Sequence, residues 1–305
     1  MAQPQLPALT IIHISDPHFG ATPRNTVSRF RKAASKLPRA QGIFPHDFTI
    51  AQALSLRVRQ ILADRATRNI PSLVIHTGDL TAAGLQNQFA VGGKFLSSHW
   101  DTPGVPYPIG LDLTPGQLVD IPGNHDLWFG GNQRYKKSFP AEEHRQFGDF
   151  YVAILGLDSN RDNKGRRRFA RGHIDGARLD RACHVLRQHP NAMLRIVALH
   201  HPLSDPPSGP DPSLRLKDRE AIARQLRSAG ADLVLAGHVH ESFHAVETSD
   251  FPRQHVAGTA CQMLSPHPCR FHVIDMFPPH RFIAARYDFR QTANTSFHLT
   301  AQSLL

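Results

Sequence analysis

The stretch Leu-Val-Ile-His-Thr-Gly-Asp-Leu-Thr, residues 73–81, decides the fold of this chain. Its first three residues are apolar, and two of them are β-branched, which predicts a buried strand. The pair Gly78-Asp79 ends that strand and puts a carboxylate just beyond its carboxyl end. Open α/β sheets place their chemistry at this end of their strands. Taken alone, however, such a pair is more often an ordinary turn in which the aspartate bonds its own backbone.

Four other predicted strands end in side chains that can bind metals. The strands at residues 10–14, 118–121, 194–199 and 232–236 run into Ser15-Asp16-Pro17-His18, Pro122-Gly123-Asn124-His125-Asp126, His200-His201-Pro202 and Gly237-His238-Val239-His240. A lone histidine at a strand end is more often capping or solvated than a ligand. Five such ends in one chain are hard to assign to chance, so we expect these side chains to converge on one site.

The order of these motifs, Asp-x-His, Gly-Asp, Gly-Asn-His-Asp, His-x-Pro and Gly-His-x-His, resembles that of the calcineurin-like metallophosphoesterase superfamily, in particular its cyclic-nucleotide phosphodiesterase-like branch. The resemblance spans residues 9–240 without a missing ligand. It implies a four-layer αββα sandwich, that is, two mixed β-sheets flanked by helices. The alternation of strands and helices, followed by strands alone, agrees with this fold.

The resemblance also implies a centre of two divalent or mixed-valence metal ions. Asp79 would bridge both ions; Asp16, His18 and His240 would complete the first site, and Asn124, His200 and His238 the second. An extended segment turns residues i and i+2 to the same side, so both histidines after Gly237 can reach the cluster. Mixed nitrogen and oxygen ligands suit Mn, Fe, Zn or Ni about equally. Two such ions, roughly 3.5–4 Å apart, can polarise a phosphoryl oxygen and generate hydroxide at neutral pH.

The residues expected to carry the chemistry are His125, Asp79 and Asn124. By resemblance, His125 contacts the phosphate and assists the leaving oxygen without binding a metal directly. A general acid of this kind contributes typically about 10²-fold to 10⁴-fold to the rate. Asp126 either orients His125 or caps a helix.

Other histidines and one aromatic loop have two interpretations each. His201 either faces the pocket or supports the metal ligands from behind. His13 and His76 are expected in the core or next to the ligands. The glycine-hinged run Trp128-Phe129-Gly130-Gly131 predicts a loop, which either lines the pocket or anchors itself.

The length of 305 residues and the spread of ligands predict a single domain covering residues 1–305. Within it we expect a ligand-bearing core at residues 9–240, antiparallel strands at 241–290 that form a second sheet, and a tail at 291–305. Helical periodicity predicts helices around residues 50–62, 89–96, 179–186 and 222–226.

The amino-acid composition indicates which binding partners and which cellular compartment to expect. The net charge is +10, from 35 Lys plus Arg against 25 Asp plus Glu, which favours an anionic partner. Two basic segments, 22–44 and 161–171, either attract phosphate or are solvated faces. The three cysteines have no framework spacing, and no signal peptide or apolar run of membrane-spanning length is present. We therefore expect a cytoplasmic protein that does not enter a membrane, and self-association stays open.

The resulting hypothesis is a binuclear metal-dependent phosphodiesterase acting on a small anionic phosphoester. A nuclease or a phosphomonoesterase is the enzymatic alternative, although sparse aromatic residues in the basic segments disfavour nucleic acid. A binding scaffold with the same fold is the alternative outside enzymes, and it would require lost ligands. One departure keeps the substrate open: many cyclic-nucleotide phosphodiesterase-like relatives carry a glutamate where this chain runs Gly84-Leu85-Gln86-Asn87-Gln88-Phe89.

Overall fold

The computed structural model describes residues 5–20, 48–101, 108–138, 145–147, 150–160, 170–261, 267–278, 281–290 and 296–304. The strands are β1 (Leu9–Ile14), β2 (Ser72–His76), β3 (Leu118–Asp120), β4 (Arg145–Phe147), β5 (Phe150–Leu157), β6 (Leu194–Leu199), β7 (Leu233–Ala236), β8 (Phe243–Ala245), β9 (Arg253–Val256), β10 (Arg270–Phe277), β11 (Arg281–Arg290) and β12 (Ser296–Leu304). The α-helices are α1 (Phe48–Thr67), α2 (Gln86–Ser97), α3 (Gly131–Ser138), α4 (Gly176–Gln188) and α5 (Arg219–Ser228). Short 3₁₀ helices cover Pro115–Gln117 and His125–Gly130.

Two mixed sheets form the centre of the molecule. The first has the strand order β12-β11-β10-β1-β2-β3, and the second has the order β4-β5-β6-β7-β9-β8. Strands β1, β2 and β3 are parallel to one another, as are β5, β6, β7 and β9. The carboxyl ends of the ligand-bearing strands therefore point the same way within each sheet, which gathers the loops that follow them.

Three apolar clusters show how the layers stack. One lies between the two sheets and includes Ile11, Ile75 and Ile196. A second packs α1 onto the first sheet, and a third packs α4 and α5 onto the second. Because the strands are buried on both faces, they read as continuous apolar runs rather than alternating ones. The predicted αββα sandwich of two mixed sheets flanked by helices is confirmed.

The carboxyl-terminal part of the prediction was wrong in two respects. The strands after residue 241 do not form a sheet of their own: β8 and β9 complete the second sheet, and β10 pairs with β1 in the first. The expected tail, 291–305, contains the nine-residue strand β12, which pairs with β11 through a bulge between Arg286 and Tyr287. Strand pairing depends on which edges of the two sheets are free, and the periodicity of the sequence does not show this.

Candidate metal centre

All seven predicted metal ligands lie at the carboxyl ends of strands, and all are buried. They follow β1, β2, β3, β6 and β7, and none is more than 9 % exposed: Asp16, His18, Asp79, Asn124, His200, His238 and His240. Burying this many polar side chains is costly unless each finds a partner or a ligand. Each of these side chains therefore needs a hydrogen-bond partner or a bound ligand within the cluster.

The backbone at five of these residues is left-handed. Asp16, His18, Asp79, His238 and His240 have φ values of 52°, 51°, 55°, 74° and 57°. Residues other than glycine rarely adopt this conformation, and where they do they concentrate at functional sites. Hydrogen bonds between the loops hold it: the amide of His18 donates to the carbonyl of Asp79 at 3.0 Å, and the amide of His238 donates to Asp16 Oδ2 at 2.9 Å.

Two glycines let these loops approach one another. A Cβ at Gly237 would lie 1.9 Å from Ser15 Oγ and 2.5 Å from Asp16 Oδ2, and one at Gly123 would lie 2.1 Å from Asp79 Oδ1. All three distances are far below van der Waals contact, so neither position accepts a side chain without movement of a ligand loop.

The ligand atoms form three overlapping groups. They are Asp16 with His18 and His240, His18 with Asp79 and His125, and Asp79 with His200 and His238; within each group the ligand atoms lie within 4.8 Å of one another. His18 and Asp79 each belong to two groups, and Asp79 Oδ2 lies 3.8 Å from His18 Nε2 and 3.4 Å from His200 Nε2, between the two predicted ion sites. Asn124 joins the last group, because its Oδ1 lies 3.1 Å from His200 Nε2.

The donor atoms fit metal cations. His18 Nε2 faces His240 Nε2 at 3.0 Å, and His200 Nε2 faces His238 Nδ1 at 3.1 Å. These separations are close to those expected between two ligands that each lie about 2.0–2.1 Å from one ion. Within the described residues, the buried Oδ1 of Asp16 also has no hydrogen-bond partner. A cation would satisfy this oxygen and the facing imidazoles together.

The charges of the site also favour a cation. Burial alone would raise the pKa of Asp79, but His200 and His125 outweigh it and lower that pKa well below the usual range. Burial opposes protonation of His200, yet Asp79 raises the pKa of His200 to about 9. The anionic pocket thus stabilises a positive charge next to Asp79, which is where a metal would replace the proton. By contrast, burial lowers the pKa of His18 and of His238, so both imidazoles are neutral as ligation requires.

His125 lies beside the cluster with its ring held at one nitrogen. Its backbone amide donates to Asp79 Oδ1 at 2.8 Å, and its Nδ1 donates to the carbonyl of Ala82 at 2.8 Å. Its Nε2 lies 4.0 Å from Asp79 Oδ2, on the side of the candidate ligands. With Nδ1 carrying the proton of the neutral ring, Nε2 is the atom that can accept or donate a further proton.

Asp126 does not orient His125, so that expectation was wrong, and it does not act as the N-cap of the 3₁₀ helix, whose N-cap is Asn124. Its buried carboxylate accepts hydrogen bonds from the amides of Leu80, Thr81 and Gly123 and from the hydroxyl of Thr81. It therefore ties the loop after β2 to the loop after β3. The carbonyl of Ala82 takes the role that was expected of Asp126.

The other histidines hold the ligand loops from behind. His201 donates from Nε2 to the carbonyl of Ala170 and accepts at Nδ1 from Ser159, and its ring lies 4.2 Å from that of His238. Burial and His200 lower the pKa of His201 to about 3, so it stays neutral. It contacts ligands rather than forming part of a ligand group.

His13 and His76 lie in the core near the ligands, as expected. His13 Nε2 lies 3.0 Å from Thr77 Oγ1, and the carbonyl of Thr77 in turn accepts from His200 Nδ1 at 2.7 Å. His76 donates from Nδ1 to Asp120 Oδ1 at 2.5 Å. Burial opposes protonation of His76, but the charge and hydrogen bond of Asp120 raise its pKa.

The sequence analysis missed supporting residues after β5 and within the 3₁₀ helix. Asn160 donates from Nδ2 to the carbonyl of Pro122, at the start of the Asn124 loop, and Ser159 holds His201. Their signal was the position of Asp158-Ser159-Asn160 at a strand end like those of the ligands. The expected glycine-hinged loop is instead the 3₁₀ helix His125–Gly130 followed by α3, and Trp128 stacks on His125.

The basic segments contribute little to the described structure. Segment 22–44 lies outside the described residues, as does 161–169 of the second segment. Only Ala170 and Arg171 of that segment are described, and Arg171 is exposed.

The family model of the calcineurin-like phosphoesterases matches residues 9–242. The chain belongs to this family. The match covers every strand end that carries a candidate ligand and stops just after His240. Membership in a family of metal-dependent phosphoesterases agrees with the candidate metal groups. No curated protein gives a significant match to this chain.

Solved structures resemble this chain at low sequence identity. A 5'-nucleotidase from Candida albicans is 12 % identical with a TM-score of 0.53, over 95 % of this chain and 53 % of that one. The chain thus spans about half the length of that nucleotidase. GAP50 from Plasmodium is 11 % identical with a TM-score of 0.56, over 97 % and 88 % of the two chains. Vps29 from Entamoeba histolytica, as a single mutant, is 12 % identical with a TM-score of 0.41, over 97 % and 99 %.

Among the described helices of this chain, none has both the length and the apolar character needed to cross a bilayer.

Proposed function

We propose that this chain is a binuclear metal-dependent phosphodiesterase that hydrolyses small anionic phosphodiesters. The observation that carries the proposal is the position of Asp79 Oδ2, which lies 3.8 Å from His18 Nε2 of the first ligand set and 3.4 Å from His200 Nε2 of the second, where a two-metal site needs a bridging carboxylate. Asp16, His18 and His240 hold the first ion; Asn124, His200 and His238 hold the second. All of them belong to one domain, residues 1–305.

The division of labour follows from the geometry. When bound, the two ions supply Lewis acidity toward a phosphoryl oxygen and activate a water molecule as nucleophile. Burial lowers the pKa of His125, so the ring is neutral with its proton on Nδ1, which Ala82 engages while Asp79 engages the backbone amide. Nε2 is therefore the atom that takes up a second proton and delivers it to the leaving oxygen. Thr77 and Asp126 hold the ligand loops in register. Mn, Fe, Zn and Ni remain the candidate ions, since nitrogen and oxygen donors are mixed.

Cellular context belongs to the same proposal. All three cysteines are free and buried, as in proteins of a reducing compartment, which supports a cytoplasmic location. The net charge of +10 supports an anionic substrate. Nucleic acid is not the favoured substrate, and a homo-oligomer is compatible with the proposal.

Metal analysis combined with a substrate panel tests the proposal. The protein is purified without chelator, its metals are measured by emission spectrometry, and hydrolysis is assayed with added Mn²⁺. The panel holds bis-p-nitrophenyl phosphate, p-nitrophenyl phosphate, cyclic AMP, a glycerophosphodiester, a nucleoside monophosphate and single-stranded DNA. We expect about two ions per chain and the highest kcat/KM with a small diester. Highest activity on a monoester or on DNA would replace the diesterase with one of the alternatives, and absence of metal would favour a scaffold.

A further inference from the structure

We propose that Trp128 is a positioning residue that fixes the orientation of the His125 imidazole toward the phosphoester. The inference rests on the proposed function, since it gives His125 its task. The two rings pack against each other in a tilted arrangement, with centroids 3.9 Å apart and planes 32° apart. The ring of His18 contacts His125 edge-on, with centroids 4.8 Å apart and planes at 89°. His125 is thus held between an indole face and a candidate ligand.

The stacking follows from the local backbone. His125 and Trp128 are three residues apart in a 3₁₀ helix, in which side chains at i and i+3 eclipse one another. An α-helix would offset the two rings by a fraction of a turn. The short 3₁₀ helix therefore places the indole directly over the imidazole.

The position of Trp128 is itself fixed by its surroundings. Its carbonyl oxygen accepts from the amide of Gly131 and lies where a Cβ at Gly84 would be only 2.4 Å away. Gly84 has a φ of 64°, and its carbonyl accepts from Arg134 Nη1 at 2.7 Å. The turn that carries Trp128 is therefore packed against the segment that leads from Asp79 to α2.

Hydrogen bonding alone does not fix the rotation of the His125 ring about its χ2 torsion. The χ2 torsion of histidine joins an sp³ to an sp² atom and has a broad energy well. The bond from Nδ1 to Ala82 selects the tautomer and anchors one corner of the ring. The indole packed 3.9 Å from the ring, centroid to centroid, fixes the remaining rotation, and with it the direction of Nε2. Misplacement of a reacting group by about 1 Å costs rate on the order of 10²-fold.

Two substitutions and a control test this assignment. Trp128→Leu removes the flat ring, and Trp128→Phe keeps an aromatic face. Tyr287→Leu removes a comparable stack, that of Tyr287 on Phe271 in the outer part of the first sheet. Two diesters are compared, one with p-nitrophenolate and one with an alkoxide as leaving group. We expect Trp128→Leu to lower kcat for the alkoxide by on the order of tenfold or more with the metal content unchanged. Trp128→Phe should restore most of the loss, and Tyr287→Leu should leave the ratio between substrates unchanged.

A double-mutant cycle separates positioning from general packing. If Trp128 acts through His125, adding Trp128→Leu to His125→Ala should cost little more than His125→Ala alone. Additive losses, or equal losses with both leaving groups, would overturn the inference.

A spectroscopic measurement decides the inference whatever the activity. In the Zn²⁺-loaded protein with labelled histidine, the ring of His125 should give one set of NMR resonances, shifted by the ring current of Trp128. We expect Trp128→Leu to remove that shift and broaden or split the set, and Trp128→Phe to retain one set. A single sharp set, unchanged apart from the lost ring current, would refute the positioning role. Failure of the proposed function would show separately, as a wild-type protein without metal or phosphodiesterase activity.

Discussion

Replacing Asp126 should destabilise the protein, because its carboxylate ties the loop after β2 to the loop after β3. Its carboxylate is fully buried and receives four hydrogen bonds. The amides of Leu80 and Gly123 donate to Oδ2 at 3.1 and 3.0 Å. The amide and hydroxyl of Thr81 donate to Oδ1 at 2.7 and 2.9 Å. Three of these four donors are backbone groups that have no freedom to turn elsewhere.

The magnitude follows from those three amides. A buried donor left unsatisfied costs about 1–3 kcal/mol. Asp126→Ala strands all three amides, which predicts a loss of about 3–5 kcal/mol if water reaches part of the space. Asp126→Asn keeps one acceptor oxygen and turns an amide group toward at least one backbone N–H, which predicts about 2–4 kcal/mol. Either loss is a large share of a typical stability of about 5–15 kcal/mol.

Denaturant unfolding of the metal-free protein measures this effect without a contribution from metal binding. Asp180→Asn is the matched control, because it makes the same change on the exposed side of α4 and should stay within about 0.5 kcal/mol of wild type. The reasoning is refuted if Asp126→Asn unfolds with the free energy of the control. If that variant instead lost kcat only with poor leaving groups, Asp126 would act on His125 rather than on the loops.

Four further outcomes are expected. Asp79→Ala should lose activity and most of both metals, because Asp79 belongs to two ligand groups; two tightly retained ions, measured by emission spectrometry, would contradict the assignment. Asn124→Ala should loosen the second ion and leave the first bound in metal titrations, whereas emptying of both sites in a folded protein would show that Asn124 serves both. His125→Ala should keep the metals and lower kcat on the order of 10²-fold or more for an alkoxide, with a much smaller loss for p-nitrophenolate; equal losses would remove the general-acid role. The raised pKa of His76 predicts that its pair with Asp120 stabilises the fold fully below about pH 6.5. This stabilisation should decrease as the pH rises through the pKa of His76 in the folded protein. A difference in unfolding free energy between wild type and Asp120→Asn that stayed constant from about pH 6 to about pH 9 would argue against this.

The ligand loops could be predicted from sequence because each signal is local. In every case an apolar strand is followed within a few residues by a side chain of a type that can bind metals, as at Asp16 and Asp79. Parallel pairing brings these ends together within each sheet, and the packing of the two sheets then places the ends of β1, β2 and β3 beside those of β6 and β7. The helices were predictable for the same reason, since α4 and α5 each present a periodic apolar face.

The strand order of the carboxyl-terminal part could not be predicted. β10 pairs with β1, whose partner residues, such as Ile11 and Ile274, are far apart in sequence. A run of strands without helices pairs equally well with itself, and only the free edges of the two sheets decide. The role of Asp126 depends on contacts of the same long range, because its donors Leu80 and Thr81 precede it by 46 and 45 residues.

Backbone strain links the fold to the site in a way that sequence does not display. Among the described residues, the left-handed positions other than glycine, asparagine and aspartate are His18, His238 and His240, and all three are candidate ligands. Together with Asp16 and Asp79, they hold strain of roughly 1–2 kcal/mol per residue, a sum comparable with the stability of a whole domain. The apolar layer between the two sheets has to outweigh this strain before any metal binds. Metal ions that bind only the folded chain add stability in proportion to the logarithm of their concentration. The ligand loops whose backbone strain lowers the stability of the fold are therefore the ones through which metal binding should raise it.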